Sequence, residues 1–151
     1  MRLTTIGAEH VRAPVQDRGS VLMLVPAGLL VVLVMASIAV DMALVQLRQR
    51  QAHDLAAGAA NDAATAAADQ AALRTGDVLI DGDRARAVVA RIVAASEHAP
   101  QVVGTPRVGV GGGRVEVEIS LYADYIFAGV VPGSPDGLTV TATASAVAEP
   151  P

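Results

Sequence analysis

The sequence predicts an α+β protein in which an N-terminal transmembrane helix continues as a long stalk helix, followed by a second helix and a small three-stranded antiparallel sheet. Three patterns lead to this prediction: an uncharged apolar run from Ser20 to Val40, a helical periodicity after it, and alternating apolar and polar residues near the C terminus. We expect four segments: a cytoplasmic tail 1–19, a transmembrane helix 20–40, an alanine-rich stalk helix 41–75 and a small extracytoplasmic domain 76–151.

The apolar run is long enough to cross a bilayer. Its 21 residues form a helix of about 31 Å at about 1.5 Å per residue, against a hydrocarbon core of about 30 Å. A cleaved signal peptide is the alternative, because Ser37 and Ala39 have the spacing of a cleavage site. The apolar region of a signal is usually shorter, about 7–15 residues, which favours a retained anchor. Three arginines precede the run and two follow soon after it, which favours a cytoplasmic N terminus. The expected location is the cytoplasmic membrane.

The stalk helix is predicted from residues that recur at three- and four-residue spacing and form one apolar stripe, Val40, Leu44, Leu47, Gln51 and Leu55. Beyond Leu55 the stripe is almost entirely alanine, which favours helix but offers little area to bury. Two interpretations stay open for this alanine face: close packing against another helix, or a solvated spacer. We expect the helix to run to about Leu73 and to end at Thr75-Gly76-Asp77.

A second helix is predicted after Asp83, whose side chain suits an N-cap. Its inward stripe comprises Ala85, Val88, Val89, Ile92 and Val93, and Pro100 ends it.

Three strands follow. The first holds Val108 and Val110 and leads into a hairpin turn at Gly111-Gly112-Gly113. The second alternates Val115, Val117, Ile119 and Leu121 with polar residues, and the third alternates Leu138, Val140, Ala142, Ala144 and Ala146 with threonine and serine.

The composition narrows the classes of function. All eleven basic residues are arginine, the net charge is −4, and three residues are aromatic, so we expect no nucleic-acid binding. His10, His53 and His98 fall in three separate segments without metal-ligand spacing, and no serine has the context of a nucleophile. The sequence therefore predicts a protein that is not an enzyme and that has no catalytic site, cofactor or metal.

One segment departs from this pattern, because all the aromatic residues lie within it. Tyr122, Tyr125, Ile126 and Phe127 form a candidate partner-contact patch, either for docking or for a membrane surface. The other interpretation is a lid in which Tyr125, Ile126 and Phe127 cover the open end of the sheet. The need of a small domain for apolar area favours the lid.

The run "RGSVLMLVPAGLLVVLVMASIAVDMALVQLRQRQAHDLAAGAA", Arg18 to Ala60, resembles the N-terminal signature of the TadE/TadG-like family, minor pilin-like membrane proteins of Flp (tight adherence) pilus assembly. The resemblance rests on the Arg-Gly-Ser start, the Val40-Asp41 pair that ends the span, and the Gln/Arg-rich helix that passes into alanine. The closing "LTVTATASAVAE", Leu138 to Glu149, is similar to the last strand of these proteins. The resemblance implies a pilin-like fold.

The resemblance also implies a candidate processing point at Gly19-Ser20. Family members that are processed usually carry a glutamate five residues after the glycine, whereas this chain has Leu24 there. An uncleaved, TadG-like anchor is therefore expected.

These observations together predict a structural or assembly component of a Flp/Tad-type pilus or related secretion apparatus. Its expected partners are the lipid bilayer and other membrane proteins of that apparatus, with homo- or hetero-oligomers formed through the anchor and stalk helices. The alternative is a membrane-anchored binding module for a small ligand or an envelope polymer.

Overall fold

A computed structural model describes residues 18–68 and 79–148, with side chains from residue 24 onward. The predicted α+β arrangement is confirmed: a long N-terminal apolar helix, a second helix and a three-stranded antiparallel sheet. The elements are α1 (Arg18–Ala67), α2 (Gly82–Ala95), β1 (Arg107–Gly111), β2 (Arg114–Asp124) and β3 (Gly137–Val147), with single 3₁₀ turns at Ala99–Gln101 and Ala128–Val130.

The chain divides into two compact units, Met1–Met35 and Ala36–Pro151, and α1 begins in the first and ends in the second. Within the first unit, the large apolar side chains from Leu24 to Met35 are all 50–70% exposed. Soluble proteins rarely expose so much contiguous apolar surface, whereas a segment that faces lipid requires it. Among the described residues, α1 is the one helix long and apolar enough to cross a membrane.

Within the second unit, α1 contributes a face of alanine to the core. Seven alanines of α1 are 0–2% exposed: Ala52, Ala56, Ala59, Ala60, Ala63, Ala64 and Ala67. They share one core with residues of α2, β2 and β3. The spacer interpretation is therefore wrong and close packing is confirmed, although the core includes strands as well as the second helix. The larger predicted stripe is displaced from this face, because Val40 and Leu47 stay exposed and Leu55 is only half-buried. Small side chains occupy the line of closest approach, and larger ones lie at its borders.

The end of α1 and the start of α2 differ from the prediction. α1 ends at Ala67 rather than near Leu73, and Thr75-Gly76-Asp77 lies outside the described residues. The N-cap of α2 is Asp81 rather than Asp83, and its Oδ1 accepts hydrogen bonds from the backbone N–H groups of Asp83 (2.9 Å) and Arg84 (3.1 Å). An N-cap must keep an extended backbone, as Asp81 does, whereas Asp83 already lies in the first helical turn.

The inward face of α2 is as predicted. Ala85, Val89 and Val93 are buried, and Val88 and Ile92 pack against the core at its edge. The helix ends at Ala95, before Pro100, because Ser96 caps it with both its N–H and its hydroxyl on the Val93 carbonyl.

The strands pair in the order β1-β2-β3, and all neighbours are antiparallel. The predicted hairpin is confirmed, with Gly111 opposite Arg114 and a two-residue turn of Gly112 (φ 58°) and Gly113 (φ 71°). Two successive positive φ angles define a type I′ turn, which glycine adopts without strain. The inward residues of β2, Val115, Val117, Ile119, Leu121 and Ala123, are 0–1% exposed. On β3, Val140, Ala142 and Ala146 are buried as predicted. Ala144 is half-buried, and Leu138 is 44% exposed near the start of the strand.

Gly137 marks a position where the sheet leaves no room for a side chain. It pairs with Asp124, and a Cβ placed on it would press against the Ala123 carbonyl and lie 2.8 Å from Tyr122 Cζ. The position of the Tyr122 ring therefore requires a glycine at residue 137.

We expect Gly137→Ala to destabilise the chain by about 1–3 kcal/mol, as forced overpacking usually does. Thermal unfolding of the full chain in detergent micelles measures the effect. Gly109→Ala is the matched control, since a Cβ there meets Glu116 Cβ at an ordinary 3.8 Å. Equal losses in the two variants would contradict the steric explanation.

Candidate functional site

Asp41 is the buried polar residue at the end of the apolar span. It is the first charged residue after Arg18, and it is only 6% exposed. Its position continues the buried face of α1 backwards from Ala52 through Arg48 and Val45, at spacings of four, three and four residues. The helical register therefore turns Asp41 towards the folded domain rather than towards solvent.

The carboxylate of Asp41 binds the backbone of the β2–β3 loop, which we define as Tyr125–Asp136. Oδ1 accepts hydrogen bonds from the N–H groups of Ile126 (2.8 Å) and Phe127 (3.1 Å), and Oδ2 accepts one from Ala128 (2.8 Å). Three successive amides that converge on one carboxylate form an anion-binding nest, and the charge makes each bond stronger than a neutral one. We call this arrangement the Asp41 clip, because it fastens the loop to α1.

Two further contacts define the surroundings of the clip. The base of the loop is closed by a hydrogen bond from the Tyr125 N–H to the Asp136 carbonyl (2.8 Å). Two turns along α1, Gln49 Nε2 donates to the Thr141 carbonyl of β3 (3.0 Å). The loop and the strand that follows it are thus both attached to the same helix.

The electrostatics of the clip favour the ionised form. Burial by itself raises the pKa of Asp41, but the hydrogen bonds from Ala128, Phe127 and Ile126 act in the opposite direction and prevail, so the pKa lies below its ordinary value of 3.8. All three amides require the carboxylate form of Asp41. Protonation would turn one of its oxygens into an O–H donor, which is a poorer acceptor for an amide N–H.

This pKa predicts how the clip responds to acid. A folded-state pKa below the unfolded value means that the stabilisation is fully present above about pH 4 and is lost as the pH falls through the lower, folded-state pKa. Amide exchange, corrected for its intrinsic pH dependence, should show Ile126, Phe127 and Ala128 losing protection in that acid range. The amide of Val117 in β2 serves as the reference, and a parallel loss there would indicate global unfolding instead.

The predicted aromatic patch lies at the clip, but the lid interpretation is wrong for two of its members. Tyr122 and Tyr125 are half-buried, whereas Ile126 is 55% and Phe127 is 47% exposed. Asp41 accepts hydrogen bonds from the backbone amides of Ile126 and Phe127, while their side chains stay largely exposed. The contact role of this patch stays a prediction.

A second feature is a shallow polar cleft of about 360 Å³ on the outer side of the sheet. Its polar groups already satisfy one another: Arg107 Nη1 lies 2.9 Å from Glu118 Oε1, and the hydroxyls of Ser120 and Thr141 are 2.8 Å apart. The lining is completed by Val103, Gly104 and Thr105.

The remaining candidates that the structure describes are not brought together into a site. Across residues 18–68 and 79–148, no group of three or more His, Cys, Asp or Glu side chains could hold a metal ion. His53 and His98 lie on α1 and beside the 3₁₀ turn Ala99–Gln101, and His10 falls outside the described residues. Gly19 and Ser20 lie in the first turn of α1, where the structure describes the backbone alone.

Comparison of the chain with protein-family models, with curated proteins and with solved structures finds no match. The fold and the clip therefore define the protein only as a small α+β domain whose first helix carries an apolar, membrane-compatible segment.

Sequence reasoning missed the role of Asp41, although a signal for it exists. The alanine face, traced backwards by steps of three or four residues, reaches Asp41. An acid on the buried face of a helix requires donors, since an unpaired buried charge is costly.

Proposed function

We propose that this protein is a minor pilin-like structural or assembly component of a Flp/Tad-type pilus or a related secretion apparatus. In this proposal, a single span holds it in the cytoplasmic membrane, its C-terminal domain is extracytoplasmic, and it acts through protein contacts rather than catalysis. The observation that carries the proposal is that α1 supplies both the exposed apolar segment and the buried alanine face of the domain. The helix that carries the anchor is thus also a core element of the domain. This arrangement suits assembly through packed helices.

The outer side of α1 offers a surface for such contacts. Ile38, Met42 and Leu47 are 50–60% exposed on the part of the helix that belongs to the second unit. Of these, Met42 and Leu47 lie outside the buried face of α1, where the domain leaves the helix uncovered. This surface supports the proposal of homo- or hetero-oligomers formed through the helices.

Deletion of the gene tests the assembly role. We expect fewer surface filaments by electron microscopy and weaker adherence, both restored by the wild-type gene. A complementing chain with Met42→Asp and Leu47→Asp should reach the membrane but fail to restore filaments. A matched chain with Ala94→Asp, exposed on α2, is the control. Unchanged piliation and adherence after deletion would refute the role.

The state of the anchor needs its own measurement. N-terminal sequencing of the mature protein gives Met1 or Arg2 for an intact anchor, Ser20 for prepilin-type processing, and Val40 for signal peptidase. Our proposal expects the first result. An alkaline phosphatase fusion at the C terminus, which is active only outside the cytoplasm, checks the orientation.

The polar cleft favours a second candidate function, that of a membrane-anchored module which binds a small ligand or an envelope polymer. Hydroxyl, guanidinium and carboxylate groups line one open surface, a lining suited to a polyhydroxylated chain. Binding of purified cell-wall fragments to the full chain, lost in Arg107→Ala and retained in Arg84→Ala, would support this candidate. Equal binding by both variants would refute it.

A further inference from the structure

Exposed apolar residues are grouped in one loop of the domain. In the β2–β3 loop, Val130 is 79% exposed and Val131 is 55% exposed, beside the exposed Ile126 and Phe127. No charged residue falls between Asp124 and Asp136. We call Ile126, Phe127, Val130 and Val131 the loop tip.

The Asp41 clip determines where along α1 this tip lies. Helical side chains slope towards the N terminus of their helix, so the carboxylate of Asp41 lies level with the turn that precedes it. The amides of Ile126 to Ala128 meet the carboxylate there at 2.8–3.1 Å. That preceding turn contains Ile38 and Val40, which are 58% and 42% exposed and end the apolar run. The loop is therefore held level with the last turn of the apolar run.

We propose that the loop tip inserts into the interface of the same bilayer that α1 crosses, as a second membrane contact set in place by Asp41. The chemistry favours lipid as the partner of the tip. The exposed apolar side chains of the tip lie at the same height along α1 as the last turn of the span. An aromatic ring with aliphatic neighbours is a typical interfacial anchor. The tip has no cation, so we expect insertion to be independent of anionic lipid.

The inference rests on the anchor alone and not on a role in pilus assembly. Its consequence is mechanical: one helix on its own leaves a domain free to tilt and rotate, whereas a helix and an adjacent loop restrict both motions. The domain would then present the outer surface of α1 in a defined direction.

The test uses the full chain in phosphatidylcholine nanodiscs that hold one copy each. The sequence has no tryptophan, so Phe127→Trp supplies a single fluorescent reporter. We expect blue-shifted emission, quenching by brominated phosphatidylcholine and weak quenching by aqueous acrylamide. Leu79→Trp is the matched control, because Leu79 is 61% exposed and precedes Ile80, which pairs with Ala68 just after the end of α1. The end of α1 lies about 39 Å along the helix from Asp41. This control should show the reverse pattern.

Tryptophan itself favours the interface, so a second probe is needed. The chain has no cysteine, and a nitroxide attached at Val130→Cys can be compared with one at Leu79→Cys. The label at Val130 should be more accessible to oxygen than to a polar relaxation agent, and equally so with and without phosphatidylglycerol. Equal water exposure of the two labels would overturn the proposal. Protection that appears only in discs holding two chains would also overturn it, in favour of a contact with a second copy.

Discussion

Asp41→Asn is expected to release the β2–β3 loop from α1 while leaving the sheet folded. An asparagine side chain offers one acceptor oxygen and an NH₂ group. One of the three amides that Asp41 now binds would therefore face a donor, and the remaining bonds would lose the charge that strengthens them. We expect the amides of Ile126, Phe127 and Ala128 to exchange roughly tenfold faster or more, and the melting temperature to fall by several degrees.

The control for this substitution is Asp54→Asn. Asp54 lies on the same helix and is exposed, so its replacement makes the same change in net charge without touching the loop. Hydrogen exchange followed by mass spectrometry on the full chain in micelles separates the two variants. Similar exchange of the loop in both would contradict the clip. Asp41→Glu adds a further comparison, since it keeps the charge but moves the carboxylate away from its three donors.

The buried face of a helix or strand could be predicted best where one face is apolar and the other is polar or charged. In β2, valine, isoleucine and leucine alternate with charged or polar residues, so the inward face could be predicted residue by residue. The hairpin could be predicted because successive glycines favour the turn that the strand twist requires. The second helix likewise shows its inward stripe as a contrast between valine or isoleucine and arginine.

The alanine-rich part of α1 lacks such contrast. Alanine occupies positions on nearly every side of the helix between residues 56 and 68, so many registers satisfy the pattern equally. The bulkier residues Val40 and Leu47 then suggest a face that the structure leaves exposed. The apolar area of a side chain does not indicate the buried face of a helix where two elements pack very closely. Large side chains do not fit between the closest backbones, so small residues are buried there instead.

The candidate site shows a different limit. Asp41 donates nothing and accepts from backbone groups about 85 residues away in the chain. Backbone donors leave no mark on the sequence, since any residue except proline supplies the same N–H. The apolar tip could be recognised from its composition, but its attachment to the end of the span required the three-dimensional arrangement.

Ala56→Leu is expected to damage the core of the domain. Ala56 has no exposed surface, and it belongs to the cluster that includes Val89 of α2 and Ile119 of β2. Leucine has nearly the same helix propensity as alanine, so the substitution changes volume rather than local preference. Overpacking a close interior costs about 1–3 kcal/mol.

Ala43→Leu separates crowding from a general effect of leucine on α1. Ala43 is exposed on the same helix, so the added volume meets solvent or lipid. Thermal unfolding of both variants in micelles should show a large loss for Ala56→Leu and almost none for Ala43→Leu. If Ala56→Leu unfolds like the wild type, the alanine face does not lie against the sheet. Ala56→Gly then provides the opposite check, because it removes volume from the same contact and should also destabilise, chiefly through the lower helix propensity of glycine.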